Sequence, residues 1–173
     1  MKTAALCLVF GLASVVLCPA ETVTEKYSNG QLKSQGAIVK KGSLECKQGL
    51  WREWYSNGRK KIEGTYKDGK RHGVFTDWFE NGQKRSLGLC VNDNRHGKWT
   101  EWYENGQKAV EGSYADSKRS GTWTFWYQNG YKKLSGKYQD GKKTGKWLCY
   151  DQEGRLIREE YYSDDKLLKK VDL

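Results

Sequence analysis

The single proline of this chain, Pro19, leaves nothing beyond residue 20 that would interrupt strand pairing. There are only two histidines, and His72 and His96 each stand immediately before a glycine at matching repeat positions. That repetition points to a role in a turn rather than to catalysis. On in-register strands the two rings would lie ~10 Å apart, too far to share one metal ion. No Cys-x-x-Cys, phosphate-binding loop or nucleophile elbow occurs, so neither a catalytic centre nor a cofactor is expected. Of five cysteines, Cys7 and Cys18 fall in the N-terminal apolar region. The remaining three, Cys46, Cys90 and Cys149, are an odd number and cannot form a complete disulfide framework. Cys90 and Cys149 are separated by several strands. Cys46, expected in a loop on the same sheet edge as Cys90, has some reach to it.

Long apolar runs are equally scarce. The only one, Ala4 to Leu17, follows Met1-Lys2 and precedes Cys18-Pro19-Ala20, which puts small residues at positions −3 and −1 of a cleavage site before Glu21. This is the layout of a secretory signal peptide over residues 1–20, and the run is short for a membrane span. An uncleaved anchor and lipidation at Cys18 are the alternatives; Val15-Val16-Leu17 lacks the small residue that usually precedes a lipidated cysteine. The expected location is therefore secreted, or in the cell envelope or periplasm.

The chain as a whole is polar despite that run, with a mean hydropathy of −0.91, yet 13% of its residues are aromatic. Disordered chains lack aromatics, so a two-sided sheet carrying aromatic rows fits both facts. The net charge is +10. It suggests anionic partners, but lysines recurring at turns also discourage strand-to-strand aggregation.

What is abundant is repetition. Asn-Gly occurs at 29–30, Asn57-Gly58, Asn81-Gly82, Asn105-Gly106 and Asn129-Gly130, spaced 28 residues and then 24, with Glu153-Gly154 in phase. Gly49, Gly73, Gly97, Gly121 and Gly145 keep step, each two residues before an aromatic in the row Trp51, Phe75, Trp99, Trp123, Trp147. Three residues further comes a second row, Trp54, Trp78, Trp102 and Trp126. Another glycine column, Gly36, Gly64, Gly88, Gly112 and Gly136, and a column Tyr66, Cys90, Tyr114, Tyr138, Tyr162 complete the pattern. Residues 21–173 are thus expected to be all-β: tandem 24-residue β-hairpins forming one long twisted antiparallel sheet. The units are 49–72, 73–96, 97–120, 121–144 and 145–168, after a partial unit at 21–48 with four extra residues around Cys46. A helix is conceivable only in the tail, Asp165–Lys170.

A two-residue type I′ turn at each Asn-Gly pairs Ser56 with Arg59, Tyr55 with Lys60, Trp54 with Lys61, Glu53 with Ile62 and Trp51 with Gly64. Trp51 would then cover the glycine opposite, and Trp99 would cover Gly112. Alternation puts Trp51, Tyr55, Ile62, Gly64 and Tyr66 on an aromatic face, as a structural row. Trp54 falls on the other face among Arg52, Lys61, Glu63 and Thr65, which makes its row the candidate binding row.

The segments "GKWTEWYENGQKAVEGSY" and "GVFTDWFENGQKRSLG", with "KDGKRHG", resemble the MORN-repeat variant family, whose bacterial members are known as YwqK-type antitoxins. The resemblance covers about 27–162. It implies a repetitive sheet used for binding or scaffolding, with no catalytic residues to carry over, and a signal peptide sits poorly with a cytosolic antitoxin role. Choline- and glucan-binding repeats are more weakly similar, and Tyr150 to Leu156 looks like a single YD repeat.

The column carboxylates Glu53, Asp77 and Glu101 could imitate a glycosidase pair, but periodicity makes them cross-strand partners. Cys149 reads as a packing residue. The expected function is a non-enzymatic, extracytoplasmic module that binds a protein partner or an anionic envelope polymer. Membrane-surface binding through Lys61, Lys84-Arg85, Lys108, Lys132-Lys133 and Lys142-Lys143 is a second reading, and toxin neutralisation a third. Open edges could pair with a second copy, and no nucleic acid is expected.

Overall fold

The computed structural model describes residues 20–173; the signal-peptide reading of 1–20 falls almost wholly outside them. The described chain is all strand and turn. The strands are β1 (Glu21–Lys26), β2 (Leu32–Lys41), β3 (Leu44–Trp54), β4 (Lys60–Lys67), β5 (Lys70–Arg71), β6 (Gly73–Trp78) and β7 (Lys84–Val91). They continue as β8 (Asn94–Trp102), β9 (Lys108–Ala115), β10 (Lys118–Trp126), β11 (Lys132–Gln139), β12 (Lys142–Tyr150), β13 (Leu156–Ser163) and β14 (Lys166–Asp172). All belong to one antiparallel sheet in which spatial order follows chain order, with the short β5 pairing only with β4. The tail is not helical: Lys166–Asp172 extends the sheet along β13, its alternating Leu167 and Lys169 paired with Tyr162 and Tyr161. Nor is Cys46 in a loop. The four extra residues lengthen the β2–β3 hairpin, where Cys46 pairs with Val39, and Cys46, Cys90 and Cys149 are all free thiols.

Two kinds of turn alternate, and their chemistry is the reverse of the expectation. At Asn-Gly only the glycine has positive φ, 81° to 89° at Gly30, Gly58, Gly82, Gly106 and Gly130. The Gly58 amide donates to the Tyr55 carbonyl (2.9 Å) and the Tyr55 amide to the Arg59 carbonyl (2.8 Å). This is a three-residue loop, a type I turn closed by a glycine bulge. It pairs Tyr55 with Arg59 and Trp54 with Lys60, while Glu53 and Trp51 keep Ile62 and Gly64. Lys61 is the extra residue that absorbs the slip. Positive φ at both corners, the type I′ signature, lies at the opposite edge: Asp68-Gly69 (52°, 79°), Asn92-Asp93 (50°, 70°), Asp116-Ser117 (46°, 66°), Asp140-Gly141 (51°, 87°) and Asp164-Asp165 (50°, 67°). Short polar Asn and Asp tolerate that conformation best after glycine.

The second glycine column has its own task. Between units the register jumps: Gln35 pairs with Arg52 but Ala37 with Gln48, and Ser113 pairs with Ser120 but Glu111 with Thr124. The extra residues make a bulge led by Gly49, Gly97, Gly121 or Gly145, all with φ of 64° to 69°. Bulges bend a strand and re-aim its side chains. His72 and His96 therefore precede bulges rather than turns; His96 sits within β8, paired with Leu89.

The bulge decides where the large rings lie. A Cβ built on Gly36 would meet the Trp51 ring at 2.0 Å, one on Gly88 the Trp99 ring at 1.9 Å, and one on Gly136 the Trp147 ring at 2.1 Å. Each ring covers the glycine of the preceding unit, not the glycine opposite it in its own hairpin. Gly64, opposite Trp51, is covered by Phe75 (2.3 Å), and Gly112, opposite Trp99, by Trp123 (2.2 Å). The packing is therefore between hairpins, where marginal hairpins need it. Gly136→Ala has nowhere to put its methyl and is expected to lower the urea-unfolding free energy by about 1–3 kcal/mol. A denaturation midpoint indistinguishable from that of the unaltered protein would contradict this packing.

Candidate functional site

The aromatic face forms a continuous ladder. Phe75, Trp123 and Trp147 have at most 1% of their surface exposed. Rings of the Trp/Phe row alternate with the tyrosine column edge to face: Tyr66–Phe75 at 5.4 Å, Tyr114–Trp123 at 5.0 Å and Tyr138–Trp147 at 5.0 Å between centroids. Cys90 replaces one tyrosine and packs in the same cluster as Phe75 and Trp99.

Over this ladder runs a column of cations that the sequence reading missed. Lys47 stands 4.1 Å from the Trp51 ring centre, Arg71 5.1 Å from Phe75, Arg95 4.4 Å from Trp99, Arg119 4.6 Å from Trp123 and Lys143 4.6 Å from Trp147. Arg95 and Arg119 also donate to the Tyr114 and Tyr138 hydroxyls, both at 3.0 Å. Each contact contributes about 0.5–1 kcal/mol where exposed, and the stems roof the rings. A basic residue two positions before every bulge glycine was the available signal.

The carboxylate column serves this layer. Glu53 accepts the Trp51 indole N–H (3.3 Å) and faces Lys47 (3.4 Å). Glu101 accepts from Trp99 (3.1 Å), and Asp77 accepts from the Ser86 hydroxyl (2.5 Å) and faces Arg85 (3.5 Å). All three are engaged as cross-strand and neighbouring partners. Where Phe125 and Cys149 take that column, the indoles lose their acceptor: Trp123 turns to the Ser113 carbonyl (3.1 Å), and the Trp147 N–H has no partner among the described residues. Two open clefts lie on this face. One, of about 490 Å³, is lined by Ile38, Lys47, Trp51 and Glu53 among others. The other, of about 540 Å³, is lined by Arg71, Asp77, Arg95, Trp99 and Glu101 among others.

Trp54, Trp78, Trp102 and Trp126 are half-buried rather than fully displayed. The expected contact of Trp54 with Lys61 does not form. Lys61 instead approaches the Tyr55 ring (5.6 Å), while Lys60 lies 5.5 Å from Trp78 and Lys108 5.7 Å from Trp126, the tryptophans of the following unit. The backbone of this row is also used. Hydroxyls of Tyr27, Tyr55 and Tyr103 donate to the carbonyls of Trp54, Trp78 and Trp126 at 2.7–2.8 Å; Phe79 has no hydroxyl to offer Trp102. The turn asparagines do more than turn. In Asn57, Asn81, Asn105 and Asn129 the side-chain oxygen accepts the amide two residues on, and the side-chain N–H₂ donates to the next turn at Glu80, Glu104, Gln128 and Gln152.

The polar face is held by ion pairs. Glu63 takes Arg52 (2.7 Å) and Lys60 (3.0 Å); Glu111 takes Lys98 (3.3 Å) and Lys108 (2.9 Å); Glu159 takes Lys146. The family model for the MORN repeat variant matches residues 47–68, 95–116 and 143–164, every second unit of the sheet. The chain carries MORN-variant repeats. No curated protein matches it. MORN repeats generally mediate protein or membrane binding, and here the match gives the sheet's repeat class without naming a partner.

Hydrogen bonds from Arg52 hold the Glu63 carboxyl below its ordinary 4.5, and those from Lys108 do the same for Glu111. A carboxylate depressed on folding stabilises the protein above its ordinary pKa and loses that contribution as the pH falls through the lower value. Urea midpoints are expected to drop on acidification from about pH 6 to pH 3, and Glu111→Gln to flatten that dependence; an unchanged slope would rule out its share. Burial raises the Cys90 and Cys149 thiols. In the folded protein a thiol reagent is therefore expected to label half-buried Cys46 well ahead of both, as mass mapping of the modified sites would show.

Proposed function

We propose that this protein is an exported, non-enzymatic binding or scaffold module for a protein partner or an envelope polymer. The observation that carries the reading is a sheet with no covering helix among the described residues. Its aromatic face covers itself, and its polar face repeats a half-buried tryptophan among charges at a fixed interval. Such a surface offers the same chemistry many times along one axis, which suits an extended partner. The N-terminal segment supports export and, with it, a role outside the cytosol. Membrane-surface attachment through the basic charge is the second reading. Toxin neutralisation rests on the name of the YwqK-type relatives alone.

Fractionation with N-terminal sequencing is expected to find a chain starting at Glu21 outside the cytosol; a cytosolic protein retaining residues 1–20 would sink the export claim. Immobilised wild-type protein is expected to retain a component of solubilised envelope that a Trp78→Ala, Trp102→Ala, Trp126→Ala variant releases. Equal retention by a folded triple variant would remove the tryptophan row from the site.

A further inference from the structure

The whole units differ in how their charges are balanced, and only the unit at 121–144 lacks an acid in both carboxylate columns. The column that supplies Glu63, Glu111 and Glu159 supplies Leu87 in the unit at 73–96, where Asp77 still stands on the other face, and Ser135 in the unit at 121–144. On the aromatic face the column of Glu53, Asp77 and Glu101 has by then given way to Phe125 and Cys149. Both faces thus lose their acid over the same strands, and residues 118–146 hold eight lysines and arginines against a single carboxylate, Asp140.

Pairing places four of these lysines on the polar face. Lys132 opposes Trp126, Lys137 opposes Thr122 on one side and Thr144 on the other, and Lys142 opposes Gln139. Lys118 opposes Ala115 and packs against the Gly141 turn, one residue from Lys142. All four are exposed. Among the described residues none of them lies within ion-pair distance of a carboxylate, in contrast to Lys98, Lys108 and Lys146 on the same face. Between them lie the short hydroxyl side chains of Thr122, Thr124 and Ser135, which leave the ammonium groups open.

We propose that this face of the 118–146 segment is the docking site for a linear polyanion, an acidic polysaccharide bearing carboxylate or sulfate groups. The proposal rests on the binding-module reading above and narrows it to one place and one ligand chemistry. Like charges gathered without counter-charges repel one another, and an anionic ligand removes that repulsion. Other ligands fit less well. Both clefts described above are lined by residues outside 118–146. Protein interfaces favour aromatic and arginine anchors around an apolar centre and are poor in lysine. The one exposed large apolar side chain of the segment, Tyr131, sits at a turn and not on the face. Trp126 on this face is half-buried, so the face presents no fully exposed apolar side chain to insert into a lipid layer. Lys132 and Lys137, five residues apart on β11, are separated by roughly 16 Å. A chain with repeated charges can engage both together with the Lys118–Lys142 pair, and gains from each added contact.

The test uses the whole folded protein, with polygalacturonate and chondroitin sulfate as probes, neutral dextran as the blank, and phosphatidylglycerol vesicles and duplex DNA as rivals. A variant carrying Lys118→Gln, Lys132→Gln, Lys137→Gln and Lys142→Gln is compared with one of equal charge change elsewhere, Lys26→Gln, Lys67→Gln, Lys70→Gln and Lys166→Gln. Wild type is expected to bind at least one acidic polysaccharide in a salt-sensitive way, the first variant roughly tenfold more weakly, and the second within about twofold of wild type. Equal losses in the two variants would reduce the effect to net charge and overturn the site. Binding to vesicles or DNA with none to either polysaccharide would overturn the ligand class. Failure with both polysaccharides, alongside retained capture of an envelope protein, would sink this proposal and leave the binding module standing.

Discussion

The Trp147 ring lies against the bare backbone of Gly136, close enough that even a methyl group there has no room. The same contact recurs from Gly36 to Gly136, always reaching back to the preceding hairpin. A sheet ordinarily buries its apolar face against a second layer. Here the described residues provide no such layer, and the aromatic rings lie down on their own sheet instead. Glycine makes that posture possible, the alternating tyrosines hold the rings edge to face, and the cation column closes the layer from above. The result is a row of tryptophans buried as deeply as in a globular core.

Because every such contact joins neighbours, stability accumulates along one dimension. The two edges repeat the principle with polar groups. At one, each turn asparagine ties its own loop and donates to the next. At the other, the second corner residue of a type I′ turn reaches back: Asp93 accepts the Arg71 amide (2.8 Å), Ser117 the Arg95 amide (3.1 Å) and Asp165 the Lys143 amide (2.7 Å). This explains why glycine is not used at every one of these corners although the backbone would favour it. Departures from the repeat have local consequences. Cys149 in place of a glutamate leaves the Trp147 N–H without an acceptor, and Phe79 in place of a tyrosine leaves the Trp102 carbonyl without its hydroxyl donor. Tyr162, the last rung, is half-buried and donates to Glu160, and this partial burial and hydrogen bond push its hydroxyl pKa up to about 12.

A scaffold secured by its aromatic face leaves the polar face freer to vary. Ion pairs between strands contribute little each when exposed, so losing the acid at position 135 costs the fold little while changing the surface potential over a whole unit. Repeat architecture and local charge are thus largely independent, which lets one sheet carry different ligand chemistry at different positions along its length.

The repeat period, the strand class and the choice of buried row followed from sequence, because hairpins of constant length must place residues 24 apart in equivalent positions. The turn types did not. Asn-Gly is compatible with both a two-residue and a three-residue loop, and only the pairing of Tyr55 with Arg59 decides between them. Alternation assigned Trp51 to the aromatic face but could not say towards which neighbour its ring leans, since Gly36 and Gly64 are both adjacent to it. That choice belongs to the inter-unit bulge, a register change created when two hairpins meet and present in neither alone. The cation column was hidden for the same reason: Arg119 reaches the rings of Trp123 and Tyr138 only once β10 lies between β9 and β11.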